Sequence, residues 1–379
     1  MKSKLDIAKM IRPCCAGFQP YVAGKPIATI KRELGLSSVV KLASNENPLG
    51  PSPRALNAIR RAVNDIYFYP DSNAWCLRQA LAKKFGLAAE NVILGAGSDE
   101  IIELIAKLFF NATDEIVVSE NAFIRYKMAG ELMGCAVVSV PTKNYTHDLE
   151  AMAAAVGPRT KAIFIANPNN PTGTYNTDSE FAKFLSAVRK KSGAQLPLVV
   201  MDEAYYEYAR AAHKDYPETM NYLQKYPALV ILRTFSKVYA LAGLRVGYGF
   251  ASGEVVDYLD RIRPPFNVNS AAQVAAVASL EDREQVKRGV ALAREGKKYI
   301  YAGLKRLKVS FVPSAANFVL ADVSPLLGRD VFKLLLCRGV IVRAMDEYDY
   351  PHHVRVTIGL PEQNRLFIRE LARIVKWKL

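Results

Sequence analysis

The sequence contains 379 residues, of which 50% are hydrophobic and 23% are charged, with a formal net charge of +15. This length and composition predict a globular protein of two domains, and no stretch approaches the roughly 20 apolar residues that a membrane span needs. The lysines and arginines are scattered in small groups and form no nucleic-acid-binding motif, so the charge does not predict a nucleic-acid partner.

The predicted elements begin with an N-terminal arm, residues 1–41, which carries one helix over 27–34 and packs with the small domain. A large domain, residues 42–268, alternates apolar strands with amphipathic helices, a pattern typical of a mainly parallel α/β sheet. The remainder, 269–379, has two helical runs and then three short apolar strands. It is predicted to form a smaller α+β domain.

Apolar runs in the large domain predict buried strands at 91–94, 162–166, 198–201 and 230–233. Helical patterns at 100–108 and 179–188 follow the first and second of these strands. Right-handed crossovers bring the ends of successive parallel strands to one edge of a sheet. Asn170, Asp202 and Lys237, which lie just beyond three of the strands, are therefore predicted to share one pocket.

An amide, a carboxylate and an amine at one sheet edge fit the chemistry of pyridoxal phosphate. This cofactor forms a Schiff base with a lysine and acts as an electron sink when its ring nitrogen is protonated. Asp202 is assigned to that nitrogen, because a nearby negative charge stabilises the protonated form. Asn170 and Tyr205 are predicted donors to the 3′ oxygen. Lys237 is predicted to form the covalent link and, once released, to move a proton between Cα and C4′.

Motifs along nearly the whole chain resemble those of the fold type I, class II aminotransferases, and most closely the histidinol-phosphate aminotransferases. They are Leu-Ala-Ser-Asn-Glu-Asn-Pro-Leu-Gly-Pro at 42–51, Tyr-Pro-Asp at 69–71, Gly-Ala-Gly-Ser-Asp-Glu at 95–100, Asn-Asn-Pro-Thr-Gly at 169–173, Asp-Glu-Ala-Tyr at 202–205 and Thr-Phe-Ser-Lys at 234–237. The resemblance implies a large pyridoxal-phosphate-binding domain with a mainly parallel sheet and a smaller α+β domain.

The resemblance also implies further cofactor contacts. It assigns the phosphate of the cofactor to Gly97, Ser98, Asp99, Ser236 and Arg245. A strand turns into a helix at the first three of these residues, where unpaired N–H groups and the helix dipole favour an anion. We expect backbone amides there, rather than the Asp99 carboxylate, to face the phosphate. Phe123 matches the position of an aromatic ring that stacks on the pyridine.

Other matching positions imply contacts with a second subunit and with substrate. Tyr69 matches a tyrosine that reaches the cofactor phosphate of the neighbouring subunit, which implies a homodimer with shared active sites. The substrate positions are Tyr21, Asn47, Asn317, Arg343 and Arg355. Arg355 is the expected anchor for carboxylate or phosphate, because its planar guanidinium can bind two oxygens at once. Arg343 and Tyr21 are expected to add phosphate contacts.

The sequence therefore predicts transfer of an amino group between histidinol phosphate and 2-oxoglutarate in histidine biosynthesis. Two alternatives use the same cofactor: an aromatic-amino-acid aminotransferase of the same branch, and a phosphothreonine-type decarboxylase. A third is a regulator that senses the cofactor without turnover. Such regulators carry an N-terminal DNA-binding domain, and no such domain fits before Leu42.

Cysteine and histidine spacing predicts no additional site. The five cysteines form neither a C-x-x-C pair nor a disulfide framework, so reduced thiols and a cytoplasmic location are expected. The four histidines do not have the spacing of a metal site. The expected partners are thus a small amino donor, a 2-oxo acid and a second copy of the chain, without nucleic acid or membrane.

Overall fold

The computed structural model describes residues 7–18 and 27–376, so the predicted substrate contact Tyr21 lies outside the described residues. The α-helices in these ranges are α1 (Ile27–Leu34), α2 (Pro53–Ala62), α3 (Trp75–Phe85), α4 (Ser98–Phe109), α5 (Arg125–Met133), α6 (Leu149–Ala154), α7 (Asp178–Ser192), α8 (Tyr206–Ala212), α9 (Gly253–Ile262), α10 (Ser270–Glu281), α11 (Arg283–Arg306), α12 (Gly328–Leu336) and α13 (Pro361–Lys376). The strands are β1 (Val40–Lys41), β2 (Val92–Gly95), β3 (Glu115–Ser119), β4 (Ala136–Val140), β5 (Thr160–Ala166), β6 (Leu198–Asp202), β7 (Leu229–Thr234), β8 (Gly247–Phe250), β9 (Ser310–Val312), β10 (Phe318–Asp322), β11 (Val340–Ile341), β12 (Arg343–Met345) and β13 (Tyr350–Thr357). Of the helices in the described ranges, none is long and apolar enough to cross a lipid bilayer.

The large sheet has the strand order β2-β8-β7-β6-β5-β3-β4 among the described residues. Strand β8 runs antiparallel to both of its neighbours, and the other neighbouring pairs are parallel. Apolar side chains of α3, α6 and α7 pack in the core on one face, and those of α4, α5 and α9 pack in the core on the other. Burial on both faces explains why β5, β6 and β7 are nearly continuous runs of apolar residues. The predicted mainly parallel sheet is confirmed.

Local sequence signals fix the starts of two helices in this unit. The Thr177 side chain accepts a hydrogen bond from the Glu180 N–H, while the Glu180 carboxylate accepts one from the Thr177 N–H, so α7 begins with a capping box. Helix α4 begins directly after Gly97, whose φ of 84° lies in the left-handed region that favours glycine. The α4 terminus therefore lies immediately beyond the end of β2.

A smaller sheet, in the order β12-β13-β10-β9, is entirely antiparallel. Side chains of α11, α12 and α13 pack in its core. Strand β1 of the N-terminal region pairs with β11, and Ile30 of α1 packs against Ile341 of the same strand. Residues 27–41 therefore contact the C-terminal part of the chain. The predicted domain boundaries at 41/42 and 268/269 remain predictions.

A buried ion pair joins the ends of β6 and β7. Arg233 lies 2.8 Å from Glu203, and the two side chains are 1% and 0% exposed. Glu203 also accepts a hydrogen bond of 2.6 Å from the Thr219 hydroxyl, and the Arg233 guanidinium lies 3.5 Å from the ring centroid of Tyr206. Because Glu203 directly follows Asp202, this pair helps to hold the carboxyl end of β6.

We predict that Glu203→Gln lowers the free energy of unfolding by about 3–5 kcal/mol, because the buried Arg233 charge loses its counter-ion. Urea unfolding followed by circular dichroism measures the change. Asp257→Asn is the control, since it removes an ion pair with Arg261 whose side chains are 60% and 61% exposed. That control should cost less than about 1 kcal/mol. Equal stabilities of the two variants would contradict the prediction.

Candidate active site

An open cavity lies at the carboxyl ends of β5, β6 and β7. Ala166 is paired with Asp202, and Asp202 with Leu232, so β5 and β6 end at one level and β7 ends two residues further on. The cavity lining includes the predicted residues Ser98, Asp99, Phe123, Asn170, Asp202, Tyr205, Ser236, Lys237 and Arg245. The predicted meeting of amide, carboxylate and amine in one pocket is confirmed.

Asp202, the last residue of β6, is held by two hydrogen bonds. Its Oδ2 accepts from the Tyr126 hydroxyl at 2.7 Å, and its Oδ1 accepts from the Ala204 N–H at 3.0 Å. Burial raises the pKa of the Asp202 carboxyl to about 6, although both hydrogen bonds lower it; the negative charges of Asp99 and Glu203 add to the rise. Within residues 7–18 and 27–376 no salt bridge to Asp202 forms, so a cationic ligand atom would stabilise its charged form.

Lys237 lies three residues beyond the end of β7, and its Nζ donates to the Ser44 carbonyl at 3.1 Å. Burial lowers the pKa of the Lys237 amine to about 8, and the nearby Arg355 charge acts in the same direction, while Glu46 opposes it. Above that pH the amine is mostly neutral. A neutral amine is the form that attacks a carbonyl group.

The part of the cavity around Ser98, Ser236 and Arg245, which we call the anion end, is suited to an anion. Ser98 begins α4, and Arg245 Nη1 lies 3.5 Å from Ser236 Oγ. A Cβ at Gly97 would overlap the Arg245 guanidinium, and a Cβ at Gly247 would overlap the Ser98 backbone. These two glycines therefore let a guanidinium, a hydroxyl and a helix N-terminus approach one another closely. Backbone N–H groups, the helix dipole and a guanidinium together favour bound phosphate or carboxylate.

The two acidic residues in the first turn of α4 contact other protein groups. Asp99 Oδ1 lies 3.4 Å from Arg125 Nε. Glu100 Oε2 accepts hydrogen bonds of 2.6 Å from both the Ala96 N–H and the Asn267 amide. Both carboxylates thus have partners outside the anion end. The expectation that the backbone of Asp99, rather than its carboxylate, faces an anion remains a prediction.

The side chains of Tyr205 and Asn170 accept hydrogen bonds from residues that are distant in sequence. The Asn45 amide donates to the Tyr205 hydroxyl at 2.8 Å, and Asn45 Oδ1 accepts from the Thr357 hydroxyl at 3.1 Å. Arg355 Nη1 donates to Asn170 Oδ1. Since this bond uses the carbonyl end of the Asn170 amide, its NH₂ end is the one that can donate to a ligand in the cavity.

Two arginines predicted to bind substrate face each other on neighbouring strands. In the register of β12 and β13, Arg343 is directly opposite Arg355. Arg355 is 7% exposed, donates to the Ala43 carbonyl at 2.6 Å and forms no salt bridge within the described ranges. Arg343, in contrast, lies 2.6 Å from Glu347. The two guanidinium groups therefore differ in how much negative charge already surrounds them.

Six predicted residues in the described part of the chain are absent from the lining of this cavity: Asn47, Tyr69, Gly97, Asn317, Arg343 and Arg355. The Asn47 amide donates to the Val238 carbonyl and accepts from a backbone N–H two residues on. Both ends of the Asn47 amide thus bind backbone, and its substrate role remains a prediction. Asn317 donates to the Asn45 carbonyl at 3.1 Å, and Tyr69 is 81% exposed.

Sequence reasoning assigned no role to Tyr126 or Asn45, although Asn45 lies in the motif at 42–51 and Tyr126 is close in sequence to Phe123. Tyr126 follows Phe123 by three positions, so its closeness to a predicted site residue was the available signal. Asn45 has a φ of 57°, in the left-handed region where asparagine is enriched. Nothing near Asn45 in the sequence indicates its partners in the structure.

The family model described as aminotransferase class I and II matches residues 37–371. The chain belongs to this family. The aminotransferase is 48% identical over 365 residues to the histidinol-phosphate aminotransferase of Moorella thermoacetica, covering 96% of this chain and 92% of that protein. It is 45% identical to the histidinol-phosphate aminotransferase of an Anaeromyxobacter species, with 97% and 99% covered.

Among solved structures, the aminotransferase resembles the histidinol-phosphate aminotransferase from Sinorhizobium meliloti in complex with pyridoxal-5′-phosphate. The TM-score is 0.89 at 27% sequence identity, and the match covers 97% of this chain and 98% of that one. The predicted fold type I architecture is confirmed by this likeness together with the mainly parallel sheet.

We predict that Lys237 of this aminotransferase reacts with acylating reagents with a midpoint near pH 8, the pKa to which burial lowers its amine. The measurement is competitive labelling with acetic anhydride across neutral and alkaline pH, read by mass spectrometry, on protein freed of bound carbonyl compounds. Exposed lysines serve as the internal control, because an unperturbed lysine has a pKa of about 10.4. Labelling of Lys237 that rises only together with that of the exposed lysines would refute the prediction.

Proposed function

We propose that this aminotransferase holds pyridoxal phosphate on Lys237 and transfers the amino group of histidinol phosphate to 2-oxoglutarate, in histidine biosynthesis. The observation that carries the proposal is the meeting of Lys237, Asp202 and the anion-binding end of the cavity at one sheet edge. The names of the relatives at 48% and 45% identity support the same substrate. When bound, the cofactor supplies the electron sink that transamination needs.

The side chains of the cavity fit each part of the cofactor. Asp202 would hold the ring nitrogen protonated, since its carboxylate has no protein cation as a partner among the described residues. The NH₂ group of Asn170 and the hydroxyl of Tyr205 would bind the 3′ oxygen, and Phe123 would cover one face of the ring. The backbone of Gly97, Ser98 and Asp99 at the N-terminus of α4 would bind the phosphate. The side chains of Ser236 and Arg245 would complete this site.

Lys237 would also act as the base of the reaction. Once its amine is displaced by the amino donor, it can take the proton from Cα and deliver it to C4′. Burial lowers the pKa of Lys237 to about 8, so the neutral amine is accessible close to physiological pH. A lysine with its ordinary pKa would remain almost entirely protonated there.

Arg355, supported by Arg343, is the proposed anchor for the anionic group of the substrates. A buried guanidinium without a carboxylate is costly, and two like charges directly opposite on neighbouring strands repel each other. A bound phosphate or carboxylate removes both costs. Histidinol phosphate carries a phosphomethyl group where 2-oxoglutarate carries its α-carboxylate, and a guanidinium fork binds either. Asn317 and Tyr21 remain proposed neighbours of this anion.

We predict that Arg355→Gln lowers kcat/KM for histidinol phosphate roughly tenfold to a hundredfold, the effect of losing a hydrogen bond to a charged group. Arg343→Gln should have a smaller effect, because Glu347 already neutralises part of its charge. Single-turnover kinetics measure both. Visible absorption of the bound cofactor is the control, since Arg355 also binds Asn170. Unchanged kinetics of Arg355→Gln, with the cofactor bound, would contradict this role.

The substrate itself is tested by parallel half-reactions with histidinol phosphate, phenylalanine and tyrosine. The proposal expects the phosphorylated donor to react fastest at limiting concentration, because only it supplies a phosphate for the paired arginines. Faster reaction of phenylalanine would favour an aromatic-amino-acid aminotransferase instead.

The proposed assembly is a cytoplasmic homodimer with shared active sites. The segment from 66 to 75 exposes five apolar side chains: Ile66 67%, Tyr67 75%, Phe68 61%, Tyr69 81% and Trp75 59%. Tyr69 stacks on Phe266, with ring centroids 4.6 Å apart, which extends this surface. An exposed apolar patch of this kind is typical of a protein interface, and a second copy in twofold symmetry is the simplest partner. The five cysteines are free thiols, which suits a reducing compartment.

A mixed dimer tests whether Tyr69 acts in the partner's site. Lys237→Ala and Tyr69→Ala chains are each expected to be severely impaired alone. In a mixed dimer, the site with an intact lysine would receive an intact tyrosine from the other chain. Random mixing should therefore restore about a quarter of the wild-type activity. No recovery, with mixed dimers shown by mass spectrometry, would mean that Tyr69 does not act across the interface.

A further inference from the structure

Tyr126 is a buried residue that contacts both Asp202 and Phe123, the aromatic residue expected to stack on the pyridine. It is 1% exposed, and its hydroxyl donates to Asp202 Oδ2 at 2.7 Å. Its ring stacks on Phe164 of β5, with centroids 5.0 Å apart and planes 12° apart. It also meets the Phe123 ring edge to face at 5.6 Å. Packing between two aromatic rings fixes the ring of Tyr126, and hence the position of its hydroxyl oxygen.

We propose that Tyr126 is a positioning residue for the ring nitrogen of the cofactor: its hydrogen bond keeps Asp202 ionised and fixes the plane of the carboxylate. This inference rests on the proposed function. The Ala204 N–H binds Oδ1 and Tyr126 binds Oδ2, so rotation of the carboxylate would break a hydrogen bond. A carboxylate oxygen has two lone pairs, so each can still accept a further hydrogen bond from a protonated ring nitrogen.

The surroundings of Asp202 explain why this donor matters. The negative charges of Asp99 in α4 and of Glu203, the next residue in the chain, disfavour ionisation of Asp202. Burial of Asp202 acts in the same direction. Lys237, the amine of the same cavity, is itself shifted toward its neutral form. Tyr126 acts in the opposite direction, because a hydrogen bond to the charged form of an acid favours that form. Burial and the Asp202 charge raise the pKa of Tyr126 well above its usual value, so its hydroxyl stays a donor throughout the working range.

The test is Tyr126→Phe, which removes one hydroxyl and keeps the ring packing. The dissociation constant of pyridoxal phosphate is measured on cofactor-free protein. Near pH 6, the pKa of Asp202 in the native chain, it should rise roughly tenfold to a hundredfold. Without the Tyr126 hydroxyl, the pKa of the Asp202 carboxyl rises. At pH 6 the carboxyl is then mostly protonated in the variant, whereas in the native protein it is half ionised. The effect should shrink at about pH 8, where Asp202 is ionised in both proteins.

An analogue of pyridoxal phosphate in which carbon replaces the ring nitrogen separates positioning from simple packing. The analogue has no ring N–H⁺ group that can pair with the Asp202 carboxylate. Native protein and Tyr126→Phe should therefore bind it equally at every pH. Tyr226→Phe is the matched control: Tyr226 is 2% exposed and donates to the Pro197 carbonyl at 3.0 Å, and this change should leave both affinities unaltered.

Equal weakening for cofactor and analogue, or weakening independent of pH, would overturn the inference and leave Tyr126 a packing residue. An unchanged dissociation constant near pH 6 would overturn it as well. The proposed function is checked separately by borohydride reduction of the native protein with pyridoxal phosphate. If mass spectrometry finds no cofactor fixed to Lys237, the proposed function itself fails, whatever Tyr126→Phe does.

Discussion

The register of β5, β6 and β7 is the constraint on which the site depends. Ala166, Asp202 and Leu232 lie side by side, so the segments that follow the three strands begin at one edge. Because side chains alternate between the faces of a sheet, a slip of one residue in β6 would turn Asp202 away from the cavity. Apolar cores on both faces of the sheet oppose such a slip. The packing that stabilises the large sheet is therefore also what brings the reactive groups together.

Burial then sets the charges of the cavity. It raises the pKa of Asp202 to about 6 and lowers that of Lys237 to about 8, because each charged form loses hydration. A ligand with a cationic ring next to Asp202 and an anionic arm next to Arg245 would restore the missing counter-charges. The cavity is thus suited to a ligand that carries both a positive and a negative group. Shifted ionisation of this kind is common at functional sites.

A short segment before α2 connects this cavity to the smaller sheet. The Ala43 carbonyl accepts from Arg355, and Asn45 binds both Tyr205 and Thr357. Arg355 in turn holds Asn170, so the proposed anchor for substrate and the proposed donor to the cofactor share one hydrogen bond. A change in either sheet that moved β13 would therefore disturb groups on the large sheet. Buried polar networks of this kind are rigid only when all members keep their partners.

The sequence by itself determined the mainly parallel sheet and the convergence of Asp202 and Lys237, because apolar runs, helical periodicity and the handedness of crossovers are all encoded locally. Only the tertiary structure decided which side chains bind one another. Tyr126 and Asp202 are 76 positions apart, Asn45 and Tyr205 are 160 apart, and Arg355 and Asn170 are 185 apart. Their hydrogen bonds depend on how separate helices and sheets pack, and no spacing within a single element carries that information.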